Sequence, residues 1–68
     1  MTTALEDLAI LRLPEVKRLT GLGRSSIYQM IKDGVFPRPV SLSLRAVGWT
    51  AGDIRSWLET RINNRNAF

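Results

Sequence analysis

The tripeptide Gly21-Leu22-Gly23 divides the run Leu13–Gly34, LPEVKRLTGLGRSSIYQMIKDG, and constrains the fold more than any other feature. On its N-terminal side, Pro14 suits the first turn of a helix, where its missing N–H costs nothing, and Glu15 complements the positive end of the helix dipole. Lys17 and Arg18 fall toward the opposite end, and Gly21 can stop the helix in a left-handed conformation. The spacing predicts a helix over 14–20 that buries Val16 and Leu19. A second helix is expected over 24–33, with Gly23 as N-cap and Gly34 as the stop; Ile27, Met30 and Ile31 follow the i, i+3, i+4 pattern and face inward. Leu22 would close the corner. Two short helices across a tight turn make the local pattern of a helix-turn-helix.

Two prolines in Val35-Phe36-Pro37-Arg38-Pro39 rule out a third helix directly after Gly34. Val40-Ser41-Leu42-Ser43 then alternates apolar and polar residues as a half-buried strand does, and Ala46-Val47-Gly48-Trp49 supplies a second strand, giving a hairpin with its tip near Ser43–Arg45. Thr50, with Asp53 three residues on, is an N-cap for a helix over 51–62 whose stripe is Ile54, Trp57, Leu58 and Ile62. Trp49 and Trp57 are expected to anchor the hairpin and this helix on the first two helices. Before the first helix, Ile10–Leu13 reads as a short strand, since Leu13 precedes a proline. Residues 1–9 carry a weak helix signal from the spacing of Thr3 and Glu6; a frayed end is the alternative. The expected architecture is mainly α with a small β-hairpin: a winged helix-turn-helix of three helices plus wing over 10–62, with 63–68 as a mobile tail.

At 68 residues the chain has one small core and little room for a pocket that would enclose a small-molecule substrate. It contains no cysteine and no histidine, which removes disulfides, thiolate or imidazole metal sites and Ser-His or Cys-His catalysis. No metal, no cofactor and no enzymatic activity are expected. No apolar run approaches the ~20 residues of a membrane span, and the N-terminus MTTALEDLAI is acidic where a signal peptide is basic, so the expectation is a cytoplasmic protein without a membrane partner.

The formal net charge is +4, and its distribution says more than its total. Between Val16 and Gly52 lie six basic residues (Lys17, Arg18, Arg24, Lys32, Arg38, Arg45) and one acid (Asp33), a balance of +5; the rest carries four bases and five acids, a balance of −1. A polyanion is the natural partner for the helix-turn-helix half. The outward side of the second helix presents Arg24, Ser25, Tyr28, Gln29 and Lys32 and no carboxylate, which is the candidate DNA surface. An ordinary solvated face is the alternative, and it usually mixes both signs. Arg45 near the hairpin tip would reach phosphates or the minor groove. A protein-interaction module on the same fold is the rival reading, with Leu44 and Phe68 as its apolar features.

The order RLPEVKRLTGLGRSSIYQMIKDGVFPRPV, then RAVGW, then DIRSWLETRI resembles the AlpA-type prophage regulators, small winged helix-turn-helix proteins related to excisionases and to MerR-type DNA-binding domains. The resemblance covers about residues 10–62. It implies sequence-specific binding to double-stranded DNA in a phage or integrated element, as a transcriptional regulator or as an accessory factor in excision. Another copy of the chain on tandem sites, or a recombinase or transcription partner, would complete such a role. The family's recognition-helix motif falls on Arg24, Ser25, Ser26, Ile27 and Tyr28, and its wing motif on Arg45, Ala46, Val47, Gly48 and Trp49. Together with the residue-level reading, the expected DNA-contacting set is Arg18, Arg24, Ser25, Ser26, Tyr28, Gln29, Lys32 and Arg45. Two departures stand out: Gly23 where the family opens the recognition helix with serine, and Ser43-Leu44 where its wing turns through two glycines.

Overall fold

A computed structural model describes residues 5–65. In chain order the elements are a short 3-10 turn Leu5–Leu8, strand β1 (Ile10–Leu11), helix α1 (Leu13–Thr20), helix α2 (Arg24–Lys32), strand β2 (Val40–Ser43), strand β3 (Ala46–Thr50) and helix α3 (Ala51–Asn63). This is the expected winged arrangement, with one addition. β1 joins the hairpin through antiparallel pairing of Ile10 with Thr50 and Leu11 with Trp49, giving a three-stranded sheet in the order β1-β3-β2.

Each helix boundary has a local cause. Gly21 ends α1 at φ 74, its N–H donating to the Lys17 carbonyl. The Thr20 hydroxyl donates to the Val16 carbonyl at 2.8 Å and accepts from the Leu22 N–H at 3.2 Å, so the turn between the helices is tied back to the end of α1. Gly34 follows α2 at φ 79, its N–H on the Ile31 carbonyl. Gly23 caps α2 through backbone alone, at φ −84. Thr50 caps α3 by accepting the Asp53 N–H at 3.1 Å. Thr50→Ala removes that acceptor and should cost about 1 kcal/mol, read as a lower midpoint in thermal unfolding followed by circular dichroism. An unchanged midpoint would mean that sheet pairing alone sets the start of α3.

The core is Val16 of α1, Ile27 of α2, Phe36, Trp49 of β3 and Ile54 of α3, with Leu11, Leu13, Leu22, Met30, Ile31, Trp57 and Leu58 half-buried around it. Phe36 links both tryptophans in it. Its ring meets Trp57 edge-on with centroids 4.8 Å apart and Trp49 at 6.5 Å. The indole N–H of Trp49 donates to the Pro37 carbonyl at 2.9 Å and that of Trp57 to the Val35 carbonyl at 2.8 Å. The proline-rich link from α2 to the wing is thereby fastened on both sides of Phe36. Sequence periodicity does not reach this residue, because it lies in a segment with no repeat.

Several expectations are corrected. Leu19 is 43% exposed: the inward stripe of α1 runs through Leu13, Val16 and Thr20, and Leu19 stands about 60° to one side of Val16 at 3.6 residues per turn. Ile62 is 52% exposed, and the end of the α3 stripe is taken by Arg61, whose guanidinium lies 4.8 Å from the Trp57 ring centroid. All four residues of β2 are exposed, so this strand is not half-buried; it is the edge of the sheet with no layer over it. The N-terminal segment is folded over residues 5–8 and docks on α3. Asp7 pairs with Arg55, the Ala51 N–H donates to the Ala9 carbonyl at 2.7 Å, and Gly52 leaves the room that Asp7 occupies. Thr3, half of the expected capping box, and the tail beyond residue 65 lie outside the described residues. α3 runs one residue past its expected end, to Asn63.

Candidate nucleic-acid interface

α2 is held by one fully buried residue, Ile27, with Met30 and Ile31 half-buried beside it. Anchoring on that side turns the opposite side to solvent. Arg24, Ser25, Ser26, Tyr28, Gln29 and Lys32 are all exposed, Tyr28 to 40%. Six of the eight residues expected to contact DNA thus share one helix. Arg18 sits on α1 and Arg45 in the turn between β2 and β3, both exposed.

Two side-chain pairs organise the α2 surface. The Arg24 guanidinium lies 5.8 Å from the Tyr28 ring centroid one turn away. Gln29 Nε2 donates to Asp33 Oδ1 at 3.1 Å. This second pair corrects the expectation of an outward face free of carboxylate: Asp33, at the C-terminal cap, is one turn from Gln29 and reaches back to it. Among the described residues the ion pairs are Arg18 with Glu15 and Arg55 with Asp7, and Arg24, Lys32, Arg38 and Arg45 have no carboxylate within salt-bridge distance. The Arg18 pair is solvent-exposed and therefore weak enough to exchange for another anion.

The wing differs from a simple two-residue hairpin. Val40 pairs with Gly48 and Ser41 with Val47, but Ser43 pairs with Ala46, so Leu42 is an extra residue on β2. No non-glycine residue among those described has positive φ, so the Leu44-Arg45 turn is not of the mirror-image type that Gly-rich tips adopt. The bulge at Leu42 accommodates the ordinary turn. Leu44 is fully exposed at the tip beside Arg45.

Along the flank of α2, Leu22, Ser25, Ser26, Gln29 and Met30 line an open cavity of about 440 Å³. Leu22 and Met30 carry core-facing signals in the sequence, and only the packing shows that each also contributes to this outer wall.

The family model described as "Prophage CP4-57 regulatory protein (AlpA)" matches residues 9–62. The chain belongs to this family. Its match runs from β1 to one residue short of the end of α3, so the AlpA resemblance and the folded helix-sheet unit nearly coincide. Two relatives illustrate the range. The "Uncharacterized protein ORF88" of Enterobacteria phage P4 is 46% identical over 55 residues, 81% of this chain and 62% of that protein. The "DNA-binding transcriptional activator AlpA" of Escherichia coli (strain K12) is 38% identical over 58 residues, 76% of this chain and 83% of that protein. The chain therefore spans less than two thirds of the phage P4 relative's length.

Among the described residues, no helix is long and apolar enough to cross a membrane.

Proposed function

We propose that the chain binds double-stranded DNA with sequence preference and acts in the cytoplasm as a transcriptional regulator of a prophage or other mobile element. The observation that carries this reading is the outward surface of α2. A helix fixed by Ile27 displays Arg24, Ser25, Ser26, Tyr28, Gln29 and Lys32 together, with neither cation held by a carboxylate among the described residues. The AlpA relative, named as a DNA-binding transcriptional activator, supports it.

In this reading α2 enters the major groove. Ser25, Tyr28, Gln29 and Arg24 meet base edges and nearby phosphates, Ser26 lies against the groove wall, and Lys32, Arg45 and Arg18 contact the backbone. A module of this size buries ~600–1,000 Å² on DNA, so tandem sites or a second protein would raise the affinity. Neutralising about four phosphates gives a slope of log K against log salt of about −3.6, at ~0.9 per phosphate. Selection from random duplexes followed by gel shift should enrich one sequence. Gln29→Ala or Tyr28→Ala should flatten preference by about 1–3 kcal/mol at one position, whereas Arg45→Ala should weaken binding to all duplexes alike and reduce the slope by about 1. Salt-independent binding would remove the electrostatic argument, and exchanged mutant phenotypes would reverse the assigned roles.

A second reading has its own support in the wing. Leu44 is fully exposed at the tip, and Val40, Leu42 and Val47 are exposed along the two strands. Such a surface suits contact with another protein. Selection that enriches no sequence, together with a protein that co-purifies and is lost in Leu44→Ser, would favour it over DNA binding.

A further inference from the structure

The cavity beside α2 has a divided lining. Leu22 and Met30 form an apolar floor and are half-buried against the core; Ser25, Ser26 and Gln29 form an exposed polar rim. None of the five ionises, while Arg24 and Lys32 lie elsewhere on the helix. The floor is firmly placed, because the Leu22 N–H is held by Thr20 Oγ1 at 3.2 Å and the Met30 carbonyl accepts the Val35 N–H at 2.9 Å.

Gln29 on the rim has a defined orientation. A carboxylate only accepts hydrogen bonds, so the amide atom 3.1 Å from Asp33 Oδ1 must be the nitrogen. The second N–H and Oε1 have no side-chain partner among the described residues and remain as a donor beside an acceptor. That pair complements adenine, which offers N7 as acceptor and N6–H as donor, and mismatches guanine, which offers two acceptors. The major groove also contains one apolar group, the C5-methyl of thymine.

We propose that the Leu22–Met30 cavity is a thymine-methyl receptor and that Gln29, oriented by Asp33, reads an adenine beside it, so that α2 selects A·T pairs at this point of its site. The assignment rests on the DNA-binding reading above and deepens it.

The test uses the full chain and its selected duplex, with each thymine replaced in turn by deoxyuridine and affinity measured by fluorescence anisotropy. Removing the methyl at the matching position should weaken binding about fourfold, which is about 0.8 kcal/mol at 1.4 kcal/mol per tenfold. Placing a larger side chain across the apolar floor with Ser26→Leu should bring the ratio of thymine to deoxyuridine affinity at that position close to one. Ser26 is an exposed helix position. Specific binding in which no thymine discriminates overturns the cavity assignment and leaves DNA binding standing. Discrimination that persists at full size in Ser26→Leu overturns it too. Failure of the unaltered chain to prefer any duplex removes both readings together.

Discussion

Phe36→Ala should unfold the domain or leave it barely folded at 25 °C. The substitution deletes a 5%-exposed ring that meets both tryptophans and shares one core cluster with Ile27, Val16 and Ile54. Large-to-small changes of this kind cost about 3–5 kcal/mol. A domain of this length has in total about 3–10 kcal/mol, at 0.05–0.15 kcal/mol per residue. The loss also loosens the link from α2 to the wing, since the Trp49 and Trp57 N–H bonds to Pro37 and Val35 depend on indoles packed against this ring. Urea unfolding followed by tryptophan fluorescence is a direct readout because both indoles flank the site. Phe36→Leu should retain a cooperative transition at a lower midpoint. A parent-like midpoint for Phe36→Ala would show that the tryptophans close over the gap and that Phe36 is not central.

Gly48→Ala should be the second most damaging small change. A methyl at this position would lie 2.5 Å from Ile10 Cγ2 and 2.9 Å from the Leu11 carbonyl oxygen. The first contact could be relieved by rotating a side chain; the second is backbone and can be relieved only by moving β1 off β3. Overpacking of this type costs about 1–3 kcal/mol, and Gly48→Val should cost more. For a domain of this size each kcal/mol lowers Tm by about 4–8 °C. Elsewhere in a strand, replacing glycine by alanine tends to stabilise by restricting the unfolded chain, so the sign of the effect is itself informative. A rise in Tm for Gly48→Ala would mean that β1 does not pair with β3 in solution. The wing motif that carries the AlpA resemblance includes this glycine, and the structure gives it a reason: the strand before α1 crosses over it.

Much of the fold was legible because it depends on neighbours in sequence. Pro14, Gly21, Gly34 and Thr50 act within one helical turn, so their effects on α1, α2 and α3 can be read without knowing what packs where. The inward residues of α2 follow from spacing for the same reason. The outward face was legible as a residue set, yet its organisation was not. The Gln29–Asp33 bond depends on the last turn of α2 staying regular through its cap, and the cavity depends on Leu22 and Met30 approaching from different elements.

What required the tertiary structure was every burial decided by a partner far along the chain. Phe36 is buried because Trp49 and Trp57, from the third strand and the last helix, enclose it. Val40 and Leu42 are exposed because no element lies over β2, although their alternation suggested a covered face. Leu19 and Ile62 carry apolar side chains at plausible helical spacings and still point outward, since the core subtends a narrower arc than the pattern allows. The chain by itself determined where helices start and stop, where charge collects and which side of α2 faces out, all of which are local or additive properties. The tertiary structure decided which apolar residues form the core, why Gly48 cannot carry a side chain, and how Leu22 and Met30 come to line an open cavity beside the polar face of α2. Those properties arise from contacts between distant segments, and no spacing along the chain encodes them.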